Sequence, residues 1–408
     1  MRTLLIAGLF FLALLAARAR AEEVRVAWPE LARFVERHPR LAAGQRLVDA
    51  ARAGVDAASE APNPTVEGEV GQGFSREGGG SRLEWGLSLS IPLGWIAQRR
   101  WRVDAAEARV DAAEAERWAT SRQVLLELRT LFWRLVHEQV RVAALQSLHA
   151  ESVALVRTVA RRVELGESRP LDALRVEIEL VRVVDELESA RAALAARQAE
   201  LALWLEPPPG ASLVAAADLD ILPGVPGRDV ALAQARSVHP VRSAARARAR
   251  VREAAVDGER LARVPSFGLA AFTSHELDRR AYGLGLAIEL PLWSWSTGRI
   301  AQAEAELAAE RHQFEADSLE LEAQVLLAQS ACAISVETAA RFKSRLVPLS
   351  EAVASELEKT YRLGEASLLE VLDSRRTLLE ARSQYLAALA QAHIDCSRLE
   401  SLVGKEVR

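Results

Sequence analysis

The sequence is poor in the residue types on which most enzyme chemistry depends. It has two cysteines, one methionine and seven histidines among 408 residues. No Cys-x-x-Cys, His-Glu-x-x-His, Gly-x-x-x-x-Gly-Lys or Gly-x-Ser-x-Gly occurs, which excludes the common zinc, phosphate-loop and serine-nucleophile signatures. Gly283-x-Gly285 lacks a third glycine, and His275-Glu276 lacks a second histidine at helical spacing. The scattered histidines provide no ligand cluster, so no metal centre, cofactor or catalytic residue is expected. Net charge is −4 with no block of one sign, which argues against a nucleic-acid partner. Aromatic residues make up only 5%. Beyond the N-terminus no run approaches 18 apolar residues free of charge, so a membrane-spanning helix is not expected.

The N-terminus is different. Arg2 precedes an apolar run from Leu4 to Ala17, then Ala19-Arg20-Ala21 before Glu22. A basic start, a run too short to span a bilayer and a small-x-small site read as a signal peptide over residues 1–21. The region has no cysteine to carry a lipid anchor. If the exported chain enters a membrane, it must do so as a β-barrel, because lipid leaves no other way to satisfy backbone groups.

The remaining sequence is duplicated. His38-Pro39 recurs as His239-Pro240, Pro64 as Pro265, Ile91-Pro92-Leu93 as Leu290-Pro291-Leu292, and Leu165-Gly166-Glu167 as Leu363-Gly364-Glu365. The order is kept and the offset hardly drifts, so two structural repeats are expected, 22–204 and 228–408. A proline- and glycine-rich linker, 205–227, joins them. Each repeat reads as helix, strand pair, very long helix, tight turn and shorter helix. The opening helix is predicted from Trp28 to Ser59, and its counterpart from Asp229 to Arg263. Strands are predicted over 65–73, 82–91, 266–273 and 282–290. On the second of them Leu83, Trp85, Leu87, Leu89 and Ile91 alternate with Glu84, Gly86, Ser88 and Ser90. Such a period of two gives one apolar and one polar face. This fits either a half-buried soluble sheet or a barrel strand, and Trp95, Trp293 and Trp295 beyond the strand ends suit an interfacial girdle.

The long helices are predicted over 96–165 and 297–363, the first without a single Pro or Gly. At 1.5 Å per residue seventy residues reach ~105 Å. Leu128, Leu135, Val142, Val156 and Val163 recur at multiples of seven, a coiled-coil stripe. The return helices, Leu171 to Trp204 and Ser367 to Leu402, are half as long. Antiparallel packing then brings the linker and both chain ends to one belt midway along the helices. The fold class is thus mostly α with a small β part. Four strands cannot close a barrel, so copies must pool them, giving eight, twelve or sixteen strands for two, three or four chains.

Tyr361, then Leu363-Gly364-Glu365-Ala366-Ser367-Leu368-Leu369-Glu370-Val371-Leu372-Asp373, and the related run from Leu165 to Leu174, resemble the tip motifs of the TolC family of outer-membrane efflux channels. The resemblance covers nearly the whole chain after residue 21. It implies a homotrimer with a twelve-stranded barrel in outer-membrane lipid and a long antiparallel α-helical barrel in the periplasm. It further implies a passive conduit, not an enzyme, coupled through a periplasmic adaptor to an inner-membrane pump of the RND type. Loop lengths look similar to the heavy-metal or cation efflux branch. A coiled-coil adaptor or scaffold without its own channel is the alternative, but it leaves the alternating strands unexplained.

Several residues stand out on this reading. Glu370 and Asp373 share one helical face just after the second tip. By themselves they read as acids at a helix N-terminus, stabilising by about 0.3–1 kcal/mol. The resemblance makes them carboxylate rings of a periplasmic gate, with Asp172, Arg175 and Tyr361 as a latch between neighbouring tips. Leu165, Gly166, Glu167, Leu363, Gly364 and Glu365 become the adaptor-contacting tips. Cys332 and Cys396 stand 32 residues either side of Gly364 (364 − 332 and 396 − 364). Equal height permits a disulfide if the Cα atoms come within about 7 Å; two buried free thiols are the preferred reading.

Overall fold

The computed structural model describes residues 23–74, 81–208, 211–276, 279–292 and 295–404. The expected signal peptide, the 75–80 part of the first strand loop and Trp293 lie outside the described residues. In chain order the elements are β1 (Glu23–Ala27), α1 (Trp28–Val35), α2 (Pro39–Ser59), β2 (Thr65–Phe74), β3 (Ser81–Pro92), α3 (Trp95–Glu164) and α4 (Pro170–Leu205). Then follow β4 (Ser212–Ala216), α5 (Arg228–Val238), α6 (Pro240–Leu261), β5 (Ser266–His275), β6 (Arg280–Glu289) and α7 (Thr297–Arg341). A π turn (Phe342–Leu346) leads into α8 (Val347–Leu363), and α9 (Leu368–Val403) ends the described chain. Two compact units result. One takes the described residues up to Pro39, Ser121–His239 and those from Leu321 on; the other takes Arg40–Thr120 and Pro240–Glu320. Each therefore draws on both halves of the duplicated sequence.

Four expectations need correction. The opening helix is two helices, α1 and α2, and its counterpart splits into α5 and α6. Both breaks fall at the His-Pro pairs, because the residue before proline is pushed out of the helical region; His239 is extended at φ −67°, ψ 131°. The linker is not structureless: β4 forms within it and pairs in parallel with β1, Glu23 opposite Ser212 through Ala27 opposite Ala216. The second long helix is interrupted by the π turn. Pro348 follows directly, with no N–H and a ring that meets the carbonyl four residues back, and the wider turn absorbs that conflict. Finally, Cys332 and Cys396 are bonded to each other, with Cα atoms 4.7 Å apart, rather than being free thiols. They face each other across α7 and α9 at equal distance from the turn.

The unit carrying β2, β3, β5 and β6 forms one antiparallel four-stranded sheet in the order β2-β3-β5-β6. Register places Val66 opposite Leu89, Leu89 opposite Ala271, and Leu269 opposite Leu286, so the large apolar residues of the four strands, Phe272 apart, lie on one face. That face is uncovered: Leu83, Leu87, Leu284 and Leu286 are 63%, 48%, 86% and 61% exposed. The polar or small residues Glu84, Gly86, Ser88 and Ser90 are the more buried set on β3. A soluble sheet has the opposite polarity. In the same unit α6 and α7 meet along small residues, with Ala244, Ala245, Ala247, Ala254 and Ala303 buried. Cross-helix ion pairs flank this seam: Arg248–Glu310 at 3.0 Å, Arg252–Glu306 at 2.7 Å, Arg260–Glu304 at 2.7 Å and Arg311–Glu253 at 2.9 Å. Exposed pairs of this kind contribute about 0.2–1 kcal/mol each, so they set the pairing of the helices more than their stability.

The other unit is held by larger side chains. Phe132, Leu128, Leu135, Leu201, Leu389 and Leu399 are fully buried. Trp28 lies 6.0 Å from Phe132 and under the Arg129 guanidinium, which pairs with Glu400 near the end of α9. Arg122 donates to the carbonyls of Ser401 and Glu400 at 2.7 and 3.0 Å, satisfying acceptors that a helix end leaves open. The disulfide sits in the cluster of Val325, Ala328, Leu399 and Val403. An 18-residue window within Thr297–Leu363 reaches a mean hydropathy of 1.2, yet only 22% of it is buried. Cys332 ties this helix to α9, whose nearby turns carry His393, Asp395 and Arg398.

Removing the disulfide by joint Cys332→Ala and Cys396→Ala substitution should lower stability by about 4 kcal/mol on a chain-entropy account of the closed loop, read from denaturant unfolding in detergent. Acid should act through histidine. Burial holds His239 down to about 4, reinforced by Arg122, and burial also lowers His137 and His393. A lowered folded value means stability is complete above the ordinary histidine value near 6.5. It falls as pH drops below that, until for His239 both states are protonated below about 4. Thermal midpoints should therefore decline between pH 6.5 and 4, and His239→Gln should flatten that slope.

Candidate functional site: two helical tips

The residues singled out at the turns lie in one unit, at the junctions α3–α4 and α8–α9. Both turns are built alike. Gly166 and Gly364 have φ of +76° and +81°. A Cβ at either would meet nothing within 4 Å, so left-handed backbone rather than lack of space requires glycine. Gly166 N–H donates to Val163 O at 3.0 Å and Glu167 N–H to Arg162 O at 2.8 Å. Gly364 N–H donates to Tyr361 O at 3.1 Å and Glu365 N–H to Thr360 O at 2.9 Å. This pair of bonds closes the last turn of each descending helix. Leu165 and Leu363, just before the glycines, stand 56% and 74% exposed. Each tip therefore offers an uncovered leucine followed by a glutamate.

Each ascending helix then starts on an acid. At α4, Pro170 occupies the first position, and Asp172 accepts from Arg169 N–H at 3.3 Å. At α9, Glu370 accepts from both the N–H and the hydroxyl of Ser367 at 2.8 Å, while Glu370 N–H donates back to Ser367 Oγ at 3.3 Å. These bonds hold the Glu370 carboxyl below its ordinary range, the backbone bond from Ser367 contributing most. The two gate candidates thus differ. Glu370 is occupied as a cap. Asp373 is exposed and, among the described residues, its carboxylate makes no hydrogen bond, although its charge acts on Arg376; its carbonyl accepts from Thr377 Oγ1 at 3.1 Å. Both acids line a groove of about 320 Å³ between α8 and α9, opposite Leu349, Val353 and Leu357.

The latch candidates are not brought together. Asp172 and Arg175 pair along α4 at 3.8 Å. Tyr361 instead packs in a cluster with Val159, Val176, Leu368 and Leu372. The Arg162 guanidinium lies 5.0 Å from its ring centre and donates to Arg362 O at 3.3 Å, joining the two tips. Further along, Arg376 reaches across from α9 to Glu179 on α4, with Nε 3.1 Å from both carboxylate oxygens. The bond to Glu179 raises the Arg376 value. Reading along the chain missed Arg162, Arg376 and Glu179. The available signal was distance from the two glycines matching to within one residue (376 − 364 = 12 and 179 − 166 = 13), since partners on different hairpins share no helical spacing.

Substituting Ser367→Ala should cost the start of α9 roughly 1 kcal/mol, about a fivefold rise in amide exchange over Leu368–Leu372. Because the Glu370 value is lowered, its contribution is present above the ordinary glutamate range and is lost as pH falls through the lowered value. The Ser367→Ala effect should shrink correspondingly in acid.

The sequence profile of the family described as "Outer membrane efflux protein" matches this chain twice, over residues 31–205 and 231–405. The cobalt-zinc-cadmium resistance protein CzcC of Cupriavidus metallidurans is 26% identical over 368 residues, covering 90% of this chain and 86% of the relative. Among solved structures, CusC, described as forming a transmembrane channel, superposes with a TM-score of 0.77 at 16% identity, over 93% of this chain and 92% of that one. The outer membrane protein VceC of Vibrio cholerae superposes with a TM-score of 0.75 at 17% identity, over 93% and 97%. The chain belongs to the outer membrane efflux protein family, the TolC-like channels that sit in the bacterial outer membrane with most of their mass in the periplasm.

Proposed function

We propose that this chain is one third of a passive trimeric conduit, its four strands pooled with those of two other copies into a twelve-stranded barrel. The carrying observation is the polarity of the sheet. Its apolar face is uncovered across all four strands, and β2 and β6 are edges. Unpaired edges in lipid cost several kcal/mol per unsatisfied group, so a lipid-facing sheet of this kind must be closed by further strands.

At the periplasmic end, the tips Leu165-Gly166-Glu167 and Leu363-Gly364-Glu365 are the contacts for an adaptor protein, which couples the conduit to an inner-membrane pump of the RND type. The exposed leucines beside compact glycine turns support this, since they offer apolar surface that a helical partner can cover. Asp373 is the carboxylate available for a ring of three at the gate, with Glu370 held as its neighbouring cap. Rings of acids favour cations in a constriction. Together with the likeness to a cobalt-zinc-cadmium resistance protein, this favours metal cations as the exported cargo. Asp172, Arg175 and Tyr361 act as a latch between neighbouring copies only if their partners lie on the next chain.

The native mass of the particle in mild detergent tests the assembly, with three chains expected. In planar bilayers Asp373→Asn should reduce cation over anion selectivity at least twofold, while Glu370→Gln should act more weakly. A monomer in the soluble periplasm, or selectivity unchanged by Asp373→Asn, overturns the respective part.

A further inference from the structure

The hairpin that α7, the π turn and α8 form with α9 is fastened at two heights by bonds of different strength. The deeper fastener is the buried disulfide between Cys332 and Cys396. The second lies nearer the tip and is built on the segment after β4. Tyr385 on α9 donates its hydroxyl to the Asp220 carboxylate at 2.6 Å. Lys343, within the π turn, lies 3.6 Å from the same carboxylate and 3.4 Å from the Asp220 carbonyl. Lys343 and Tyr385 stand equally far from Gly364 (364 − 343 and 385 − 364), so a single aspartate grips both arms of the hairpin at one level.

The segment that presents Asp220 is itself anchored. Leu219 is buried, and its carbonyl lies 3.1 Å from His393 Nε2. The His393 ring stacks on Trp133 with centroids 3.7 Å apart. Asp218 accepts from Asp220 N–H at 2.9 Å, and Gln329 donates to Pro226 O at 3.3 Å. The carboxylate is thus held on a support fixed to the base of the same hairpin, at His393 and Gln329, while its two partners stand nearer the tip. The Lys343 and Asp220 side chains are 50% and 54% exposed. Contacts between exposed charges are weak and exchange readily with water, unlike the buried covalent link. One arm of the grip is also the place where the helix is irregular: Val347 N–H donates to Phe342 O, five residues back, and Pro348 prevents an ordinary α-helical turn. Such turns are where helices bend.

We propose that Asp220, Lys343 and Tyr385 form a releasable clasp that holds the tip hairpin in its resting position, with the π turn as its hinge and the disulfide as its fixed base. Release of the aspartate lets α8 and the tip half of α9 move together while the region around Cys332 and Cys396 stays in place. The proposal rests on the gated-channel reading, because a moving tip matters only if the tip is a gate. The three side chains are positioning residues: none of them touches the tip carboxylates Glu370 and Asp373.

The test separates the clasp from the channel. Spin labels are placed through Arg161→Cys and Lys359→Cys, exposed positions on the two hairpins, in labelled chains co-expressed with excess unlabelled chain. The native cysteines are bonded and do not react. Asp220→Asn and Tyr385→Phe should each broaden and shift the distance distribution in the detergent-solubilised trimer, and the double variant should add little to either. Both should also raise the open fraction in planar bilayers severalfold. Tyr385→Phe removes one hydroxyl and decides the matter if Asp220→Asn fails to assemble. Wild-type conduction with distances and open fraction unchanged in Tyr385→Phe overturns the clasp and leaves the channel reading intact. Shifted distances in a protein that never conducts, wild type included, support the fastener and overturn the channel.

Discussion

Backbone hydrogen bonding at the two edges of one small sheet governs the organisation of this protein. β2 and β6 end the sheet, and the face they share with β3 and β5 is covered with exposed Val, Leu, Ile, Trp and Tyr. In water such a sheet would aggregate along its edges; in lipid its edges demand partners. The inverted polarity therefore does two things at once. It selects the solvent in which the sheet can exist, and it makes a lone chain incomplete. The helices add apolar surface of their own, with Leu319, Leu327, Ile334 and Leu349 standing 69%, 72%, 63% and 65% exposed. The exposed ion pairs that lace their surfaces contribute little individually.

Much of the helix and strand pattern was legible because each element is long and strongly periodic. The alternation through Leu83, Trp85, Leu87, Leu89 and Ile91 has no reading other than a two-faced strand, and the run from Ile96 to Leu165 contains no proline or glycine. What pattern alone left undecided was which face of the strand meets water, since alternation is the same for a soluble sheet and a barrel. Shorter features were harder. β1 and β4 are five residues each and pair across a great sequence distance, so no local signal announces them. The π turn at Phe342 was hidden inside helical periodicity, although Pro348 marked its place. The disulfide was readable as equal height on a hairpin, but orientation on two helices is a matter of packing that spacing does not fix.

The tips show where residue-by-residue reading reached its limit. Two acids three residues apart looked equivalent, yet Glu370 is absorbed by its own helix start while the Asp373 carboxylate makes no hydrogen bond among the described residues. The difference lies in Ser367, whose hydroxyl and amide both turn to the first acid. Likewise Tyr361 faces Arg162 on the other hairpin rather than the Asp172–Arg175 pair. Interactions between hairpins have no helical period, and only the shared distance from two glycines hints at them.

The parallel pairing of β1 with β4 carries a consequence for the order of events during biogenesis. Glu23 lies opposite Ser212, so β1 has no strand partner until the whole chain between the two is available. Long-range parallel contacts close slowly, because the intervening chain must be ordered before they are rewarded. Pairing of β1 with β4 therefore belongs among the late events of folding, after the helices between them have formed.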